Sequence, residues 1–255
     1  MRLANKVAVV TGGDTGIGKA ISLEMAREGA DVMIDYVGDA APANALIEEI
    51  ENFGGKVAAF AADVSKPDDV DALIAQTNRH FGGLDILVNN AGIEQKHPFL
   101  DTPFEVYAKI IDINLTGVWL CAQRAAKQMV KERHGGRIIN ISSVHEDLTM
   151  PTNAAYCASK GGVRMLMRTI AVELAPYGIT VNNVCPGAVD TPMDAPLKRE
   201  TKQYQALLSE IPLRRMAKPE EIAELCVFLA SEAAAYVTGS SYMIDGGLMQ
   251  QSGNL

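Results

Sequence analysis

Short apolar runs alternate with helix-length amphipathic stretches along almost the whole chain, and no other feature limits its fold so tightly. Runs at 7–11, 31–36, 56–62, 86–89, 137–142, 180–184 and 241–244 are rich in Val, Ile and Ala, as strands must be when both faces of a sheet are covered. Helical patterning fills the gaps, at about 17–28, 41–53, 68–81, 104–133, 154–176 and 220–231. Each stretch can carry the chain back to the start of a parallel neighbour. Gly29, Gly54, Gly82, Gly135 and Gly178 stand where those helices must stop. The expected fold is α/β: a doubly wound parallel sheet of about seven strands with helices on both faces.

A chain of 255 residues, 48% hydrophobic, can bury such a core as one domain, 1–255, without metals or disulfides. Cys121, Cys157, Cys185 and Cys226 form no CxxC pair and no metal-ligand spacing, so they are expected to be reduced packing residues and no metal site is expected. The first strand follows Lys6 directly and is too short for a secretory or membrane segment, which predicts a cytoplasmic protein with no membrane partner. A net charge of -8 disfavours binding to a phosphate backbone, so no nucleic-acid partner is expected. One stretch breaks the rhythm. Residues 191–219 hold four prolines, and a long connection at the carboxyl end of a strand is expected to be a substrate-side lid.

The first strand ends in Thr11-Gly12-Gly13-Asp14-Thr15-Gly16-Ile17-Gly18-Lys19. Gly12 and Gly16 permit a tight turn, and Gly18 lets the following helix approach the sheet. Free amides and the positive end of the helix dipole can then accept a pyrophosphate. A glycine cluster alone is weak evidence; its place after the first strand of a βαβ unit strengthens it.

Tyr156 and Lys160 lie four residues apart on a predicted helix and share a face. A phenol with its ordinary value near 10 is a poor base at neutral pH, and a neighbouring ammonium stabilises its phenolate. Ser143 follows the fifth strand, at the carboxyl edge where open α/β sheets bind ligands. Its hydroxyl can hold a substrate oxygen while Tyr156 exchanges the proton. Isolated Tyr-x3-Lys pairs are usually surface pairs, but the serine, the glycine turn and the strand order together favour a catalytic triad.

The glycine spacing is G-x3-G-x-G rather than G-x-G-x-x-G. With Asn89-Asn90-Ala91-Gly92, Ser143 and Tyr156-Cys157-Ala158-Ser159-Lys160, the chain resembles the short-chain dehydrogenase/reductase family over residues 6–247. The resemblance implies a Rossmann-type fold and a nicotinamide-dependent oxidoreductase that interconverts an alcohol or hemiacetal and a carbonyl. It also implies that Lys160 bonds the nicotinamide ribose, that Asn114 supports a proton-relay water, and that the protein is a homotetramer. Asp63 and Val64 match the adenine-contacting pair, Asn90, Ala91 and Gly92 the coenzyme-side loop, and Pro186, Gly187, Val189 and Thr191 the segment against the nicotinamide. Read without the resemblance, Asp63 is equally a helix N-terminal acid.

The second strand ends in Asp35-Tyr36, no Lys or Arg stands between Arg27 and Lys56, and the glycine turn carries Asp14. A 2′-phosphate would face acids there, so NAD is favoured, with NADP still open. Asp35 stands one residue before the family's usual selecting aspartate, a place Tyr36 takes, and an odd step along a strand turns a side chain over. Glu94 and His145-Glu146, with Asn153, resemble the glucose 1-dehydrogenase branch and can serve the hydroxyls of a polyol beside Ser143 and Tyr156. The alternatives are a 3-oxoacyl thioester or small-ketone reductase and a nicotinamide-binding regulator without turnover.

Overall fold

The apolar runs meet as parallel neighbours in the computed structural model, which describes residues 1–191 and 201–250. The strands are β1 (Val7–Val10), β2 (Asp31–Tyr36), β3 (Val57–Ala61), β4 (Ile86–Asn89), β5 (Gly136–Ile141), β6 (Ile179–Pro186) and β7 (Ser241–Ile244). They form one all-parallel sheet in the order β3-β2-β1-β4-β5-β6-β7. After β3 the chain returns to the middle and grows the other way. The carboxyl ends of β1 and β4 therefore flank a crevice, the place where open sheets bind ligands.

The helices are α1 (Gly16–Arg27), α2 (Ala41–Glu51), α3 (Pro67–Phe81), α4 (Phe104–Ile111), α5 (Gly117–Glu132), α6 (Ala154–Leu174), α7 (Thr201–Glu210) and α8 (Pro219–Ala230). Side chains alternate across each strand and so feed two cores. Ala8, Val10, Val32, Ile34, Ile86 and Val88 pack with α1, α2 and α8 on one face, while Val9, Met33, Leu87 and Ile138 pack with α3, α5 and α6 on the other. Burying one such Ile or Leu contributes roughly 1.5–3 kcal/mol. Burial on both faces holds for the central strands, but β3 and β7, at the sheet edges, are only partly buried.

The helix expected over 104–133 is divided. Between α4 and α5 the chain takes a wider π turn, Asp112–Thr116. Its cause is tertiary: the buried Asn114 gives both ends of its amide to the backbone of Ile93, at 2.8 and 2.9 Å, and Gly117 lies flush against Val64. The segment 191–219 falls partly outside the described residues. Inside it lies α7, unforeseen because its apolar positions are few, although its Gln, Ala, Leu and Glu are sound helix formers. Beyond α7, Ile211 is buried and the Leu213 amide donates to Gly246 O.

Candidate active site

The glycine turn is built for close approach. Gly12 and Gly16 adopt φ of +56° and +53°, a left-handed conformation that favours glycine. A Cβ on Gly18 would collide with the Gly12 carbonyl oxygen and with Asn90 Nδ2. Thr15, at the start of α1, makes no side-chain capping bond, and the first turn has no acid. The leading amides are thus left for an anion, and the cradle fits a pyrophosphate. Asn90 locks it to the crevice by donating Nδ2 to the carbonyls of Thr11 and Gly12, both at 2.9 Å. Thr11 Oγ1 accepts the amides of Asn90 and Ala91, a role nothing in the sequence pattern announced. Thr191 stands beside Gly16 and Gly187 against Asp245, and Val189 is buried in a bridge to Ala217. The segment 186–191 therefore reaches the glycine turn.

Ser143, Tyr156 and Lys160 converge at the carboxyl end of β5. Ser143 is buried at the start of a short turn, and its Oγ accepts the His145 amide at 3.2 Å. Tyr156, in the first turn of α6, is half-buried, with its ring 6.2 Å from that of His145, edge to face. Lys160 Nζ lies 5.6 Å from the Tyr156 ring centre and donates to Ile141 O at 2.9 Å. Burial pulls the Lys160 ammonium down to about 8, against the opposing influence of Cys185 and Glu146. An amine so placed holds and releases a proton near neutrality. Asn114 Nδ2 also reaches Ser159 Oγ at 3.3 Å, and Ser159 Oγ donates to Tyr156 O at 2.7 Å. The π turn thus ties the loop after β4 to the helix that carries Tyr156. Such a turn also shifts main-chain carbonyls from their ordinary i+4 partners.

The polyol candidates separate. Glu94 is half-buried and accepts Asn153 Nδ2 at 3.0 Å, with Lys96 at 3.7 Å. The two loops meet also through His97 N and Thr152 O, at 2.8 Å. Asn153 itself is buried, so it braces Glu94 instead of standing open to a ligand. His145 is half-buried, with Nδ1 at 3.1 Å from Leu148 O, which leaves Nε2 for another partner. Glu146 turns inward with no exposed side chain. It is no pocket-edge ligand: in the 3₁₀ turn Val144–Glu146 each side chain is rotated about 120° from the last, so Glu146 faces the core while His145 turns away from it.

Asp35 is likewise corrected as a ribose ligand. Its side chain is 1% exposed, and its Oδ2 accepts the Gly12 amide at 3.2 Å. Burial, with Asp14 and Asp63 nearby, pushes its carboxyl up to about 8, while amide bonds from Gly12 and Ala62 oppose this. Asp35 braces the glycine turn from beneath; Tyr36, half-buried, ends the strand. Asp63 Oδ1 accepts Ser65 N and Oγ at 3.0 and 2.6 Å, and the Ser65 hydroxyl holds that carboxyl below its ordinary value. Asp63 therefore shapes the turn into α3, and the buried Val64 packs on Gly117.

Known proteins share both the chain and its architecture. A family model described as enoyl-(acyl carrier protein) reductase matches residues 12–249. Glucose 1-dehydrogenase 2 of Bacillus subtilis is 39% identical over 248 residues, 96% of this chain and 95% of that protein. A 3-oxoacyl-[acyl-carrier-protein] reductase of Synechocystis is 43% identical over 248 residues, 97% of this chain and 98% of its own. The crystal structure of a short-chain type dehydrogenase/reductase from Mycobacterium marinum superposes with a TM-score of 0.92 at 40% identity, covering 98% of this chain and 97% of that one. The glycine cradle at the switch point, the Ser143–Tyr156–Lys160 cluster and these end-to-end likenesses lead to one conclusion: the chain belongs to the short-chain dehydrogenase/reductase family, oxidoreductases that use NAD(P) and act on CH–OH groups.

Proposed function

We propose that the protein is a sugar or polyol dehydrogenase, glucose 1-dehydrogenase-like, that uses NAD in preference to NADP. The observation that carries the substrate class is the Glu94–Asn153 bond. It fixes a half-buried carboxylate on the loop beside the coenzyme crevice, and a carboxylate accepts two neighbouring hydroxyls of a polyol as a thioester carbonyl would not require. The 39% identity to a glucose dehydrogenase supports it.

Ser143 holds the reacting oxygen and Tyr156 takes its proton in oxidation, returning it in reduction. Lys160 favours the phenolate by its charge and bonds the nicotinamide ribose, while Asn114 supports a relay water through its π turn. Gly12, Gly16, Ile17 and Gly18 receive the pyrophosphate, Val64 and Asp63 lie on the adenine side, and Gly92 with Pro186 flanks the nicotinamide. When bound, NAD(P) supplies the hydride acceptor or donor. The lean to NAD rests on the cations near the second strand. Lys19 is paired with Glu49 at 2.9 Å and Lys56 with Asp31 at 3.4 Å, so among the described residues no unpaired cation there awaits a 2′-phosphate.

Incubation with NAD and a panel of aldoses should generate reduced-nicotinamide absorbance; silence across the panel sinks the sugar reading. The 43% identity to a 3-oxoacyl reductase favours a second reading, which instead predicts faster oxidation of reduced cofactor by acyl thioesters or ketones. A binding protein without turnover is distinguished by Tyr156→Phe, which changes nothing in it.

A homotetramer is also proposed. Between α5 and α6 runs a groove of about 360 Å³ bounded by Trp119, Ala126, Leu166 and Tyr177, with Trp119 44% and Tyr177 55% exposed. Among the described residues nothing covers these faces, and a second copy of the same helices would cover them. Light scattering at micromolar concentration reads the outcome; a monomer or a dimer refutes it.

A further inference from the structure

Three asparagines stand side by side across the carboxyl end of the sheet. Asn89, Asn140 and Asn183 occupy paired positions on β4, β5 and β6 and are buried. Asn89 Nδ2 donates to Asn140 Oδ1 and Asn140 Nδ2 to Asn183 Oδ1, each at 2.9 Å. Asn183 Nδ2 then donates to Glu146 Oε2 at 2.9 Å. All three amide dipoles point the same way, with their positive ends towards Glu146. In a low-dielectric interior such an aligned chain favours a charged acceptor at its end.

The carboxylate has company on every side. Among the described residues its Oε1 has no hydrogen-bond partner and faces Arg164 Nε of α6 at 3.6 Å; that guanidinium also pairs with neighbouring Asp147. Burial keeps the Cys185 thiol of β6 neutral, and the charge of Glu146 acts in the same direction. Lys160 reaches the same corner. Its Nζ bonds Ile141 O, one step along β5 from Asn140, and Ile141 pairs with Val184, one step from Asn183. A buried ammonium requires a counter-charge. Glu146 is an anion at that corner, facing Arg164 one turn along α6 from Lys160, and with Cys185, which burial keeps neutral, it acts to keep Lys160 charged.

Resting on the acid/base reading above, we propose that Glu146 is a positioning residue: held by the asparagine ladder, its carboxylate is the counter-charge that keeps the Lys160 ammonium protonated beside Tyr156. The test has two readouts. Lysine labelled with ¹³C at Cε reports the titration of Lys160 directly, and the pH profile of turnover reports its use. Glu146→Gln keeps an acceptor for Asn183 but removes the charge, so the Lys160 midpoint should fall by roughly one pH unit. The high-pH limb of turnover should fall with it, and Glu146→Asp should restore most of both. An unmoved Lys160 midpoint overturns the inference. A midpoint that moves while turnover does not leaves it standing and refutes the acid/base reading instead. Arg164→Gln serves as a second variant should Glu146→Gln not fold. It removes the cation that shares Glu146, so the Lys160 midpoint should rise; no change, or a fall, overturns the proposal.

Discussion

Replacing Asp35 by Asn should stabilise the protein, and increasingly so as the pH rises. The carboxyl ionises at its ordinary 3.8 in the unfolded chain, whereas burial holds it neutral up to about 8 in the folded one. Between those values folding takes up a proton, so stability is lost as pH climbs from about 4 to about 8 and is level beyond. About three pH units separate the ordinary value from pH 7, and at ~1.4 kcal/mol per unit the cost there is on the order of 4 kcal/mol. Asn has no proton to take up and keeps the acceptor for Gly12. Its NH2 must sit where Asp35 Oδ1 has no partner, which returns roughly 1–2 kcal/mol. The net gain at pH 7 is then about 2–3 kcal/mol, falling to zero at about pH 5 and reversing below it. Urea unfolding at fixed protein concentration, from pH 4 to 8, measures it as a difference that grows with pH. A flat difference, or one in favour of the natural chain at pH 7, refutes the placement. Cofactor affinity supplies the second check. A carboxylate gripping the ribose would lose roughly tenfold or more on this change, since a charged hydrogen bond contributes about 1.5–3 kcal/mol, whereas a brace beneath Gly12 predicts an NAD dissociation constant within about threefold.

Three further outcomes follow from the geometry. Tyr156→Phe should lower turnover by roughly 10²–10⁴ with NAD binding retained, as read by steady-state kinetics beside fluorescence titration. Gly18→Ala places a methyl on the Gly12 carbonyl, so isothermal titration should find NAD binding lost or weakened well over tenfold; unchanged affinity would mean that the turn relaxes freely. Leu87→Ala empties a fully buried site in the core beneath α3 and α5 and should cost about 2–5 kcal/mol in denaturant unfolding.

The sequence by itself determined the sheet, the crevice and the candidate reacting groups. Strand and helix periods, glycine stops and the turn Gly12–Gly18 are local signals, and Tyr156 and Lys160 share a face through helical spacing alone. Only the tertiary structure decided which way side chains turn and what they meet. Asp35 and Glu146 are acids beside a ligand crevice in the sequence, yet both point into the protein, because side-chain direction changes with each residue along a strand or turn and packing decides what lies on each side. Asn89, Asn140 and Asn183 are far apart in the chain and become one ladder through strand register. The π turn at Asn114 exists because Ile93, from another loop, takes both ends of its amide. Contacts between segments distant in sequence carry no period, and so only the folded chain reveals them.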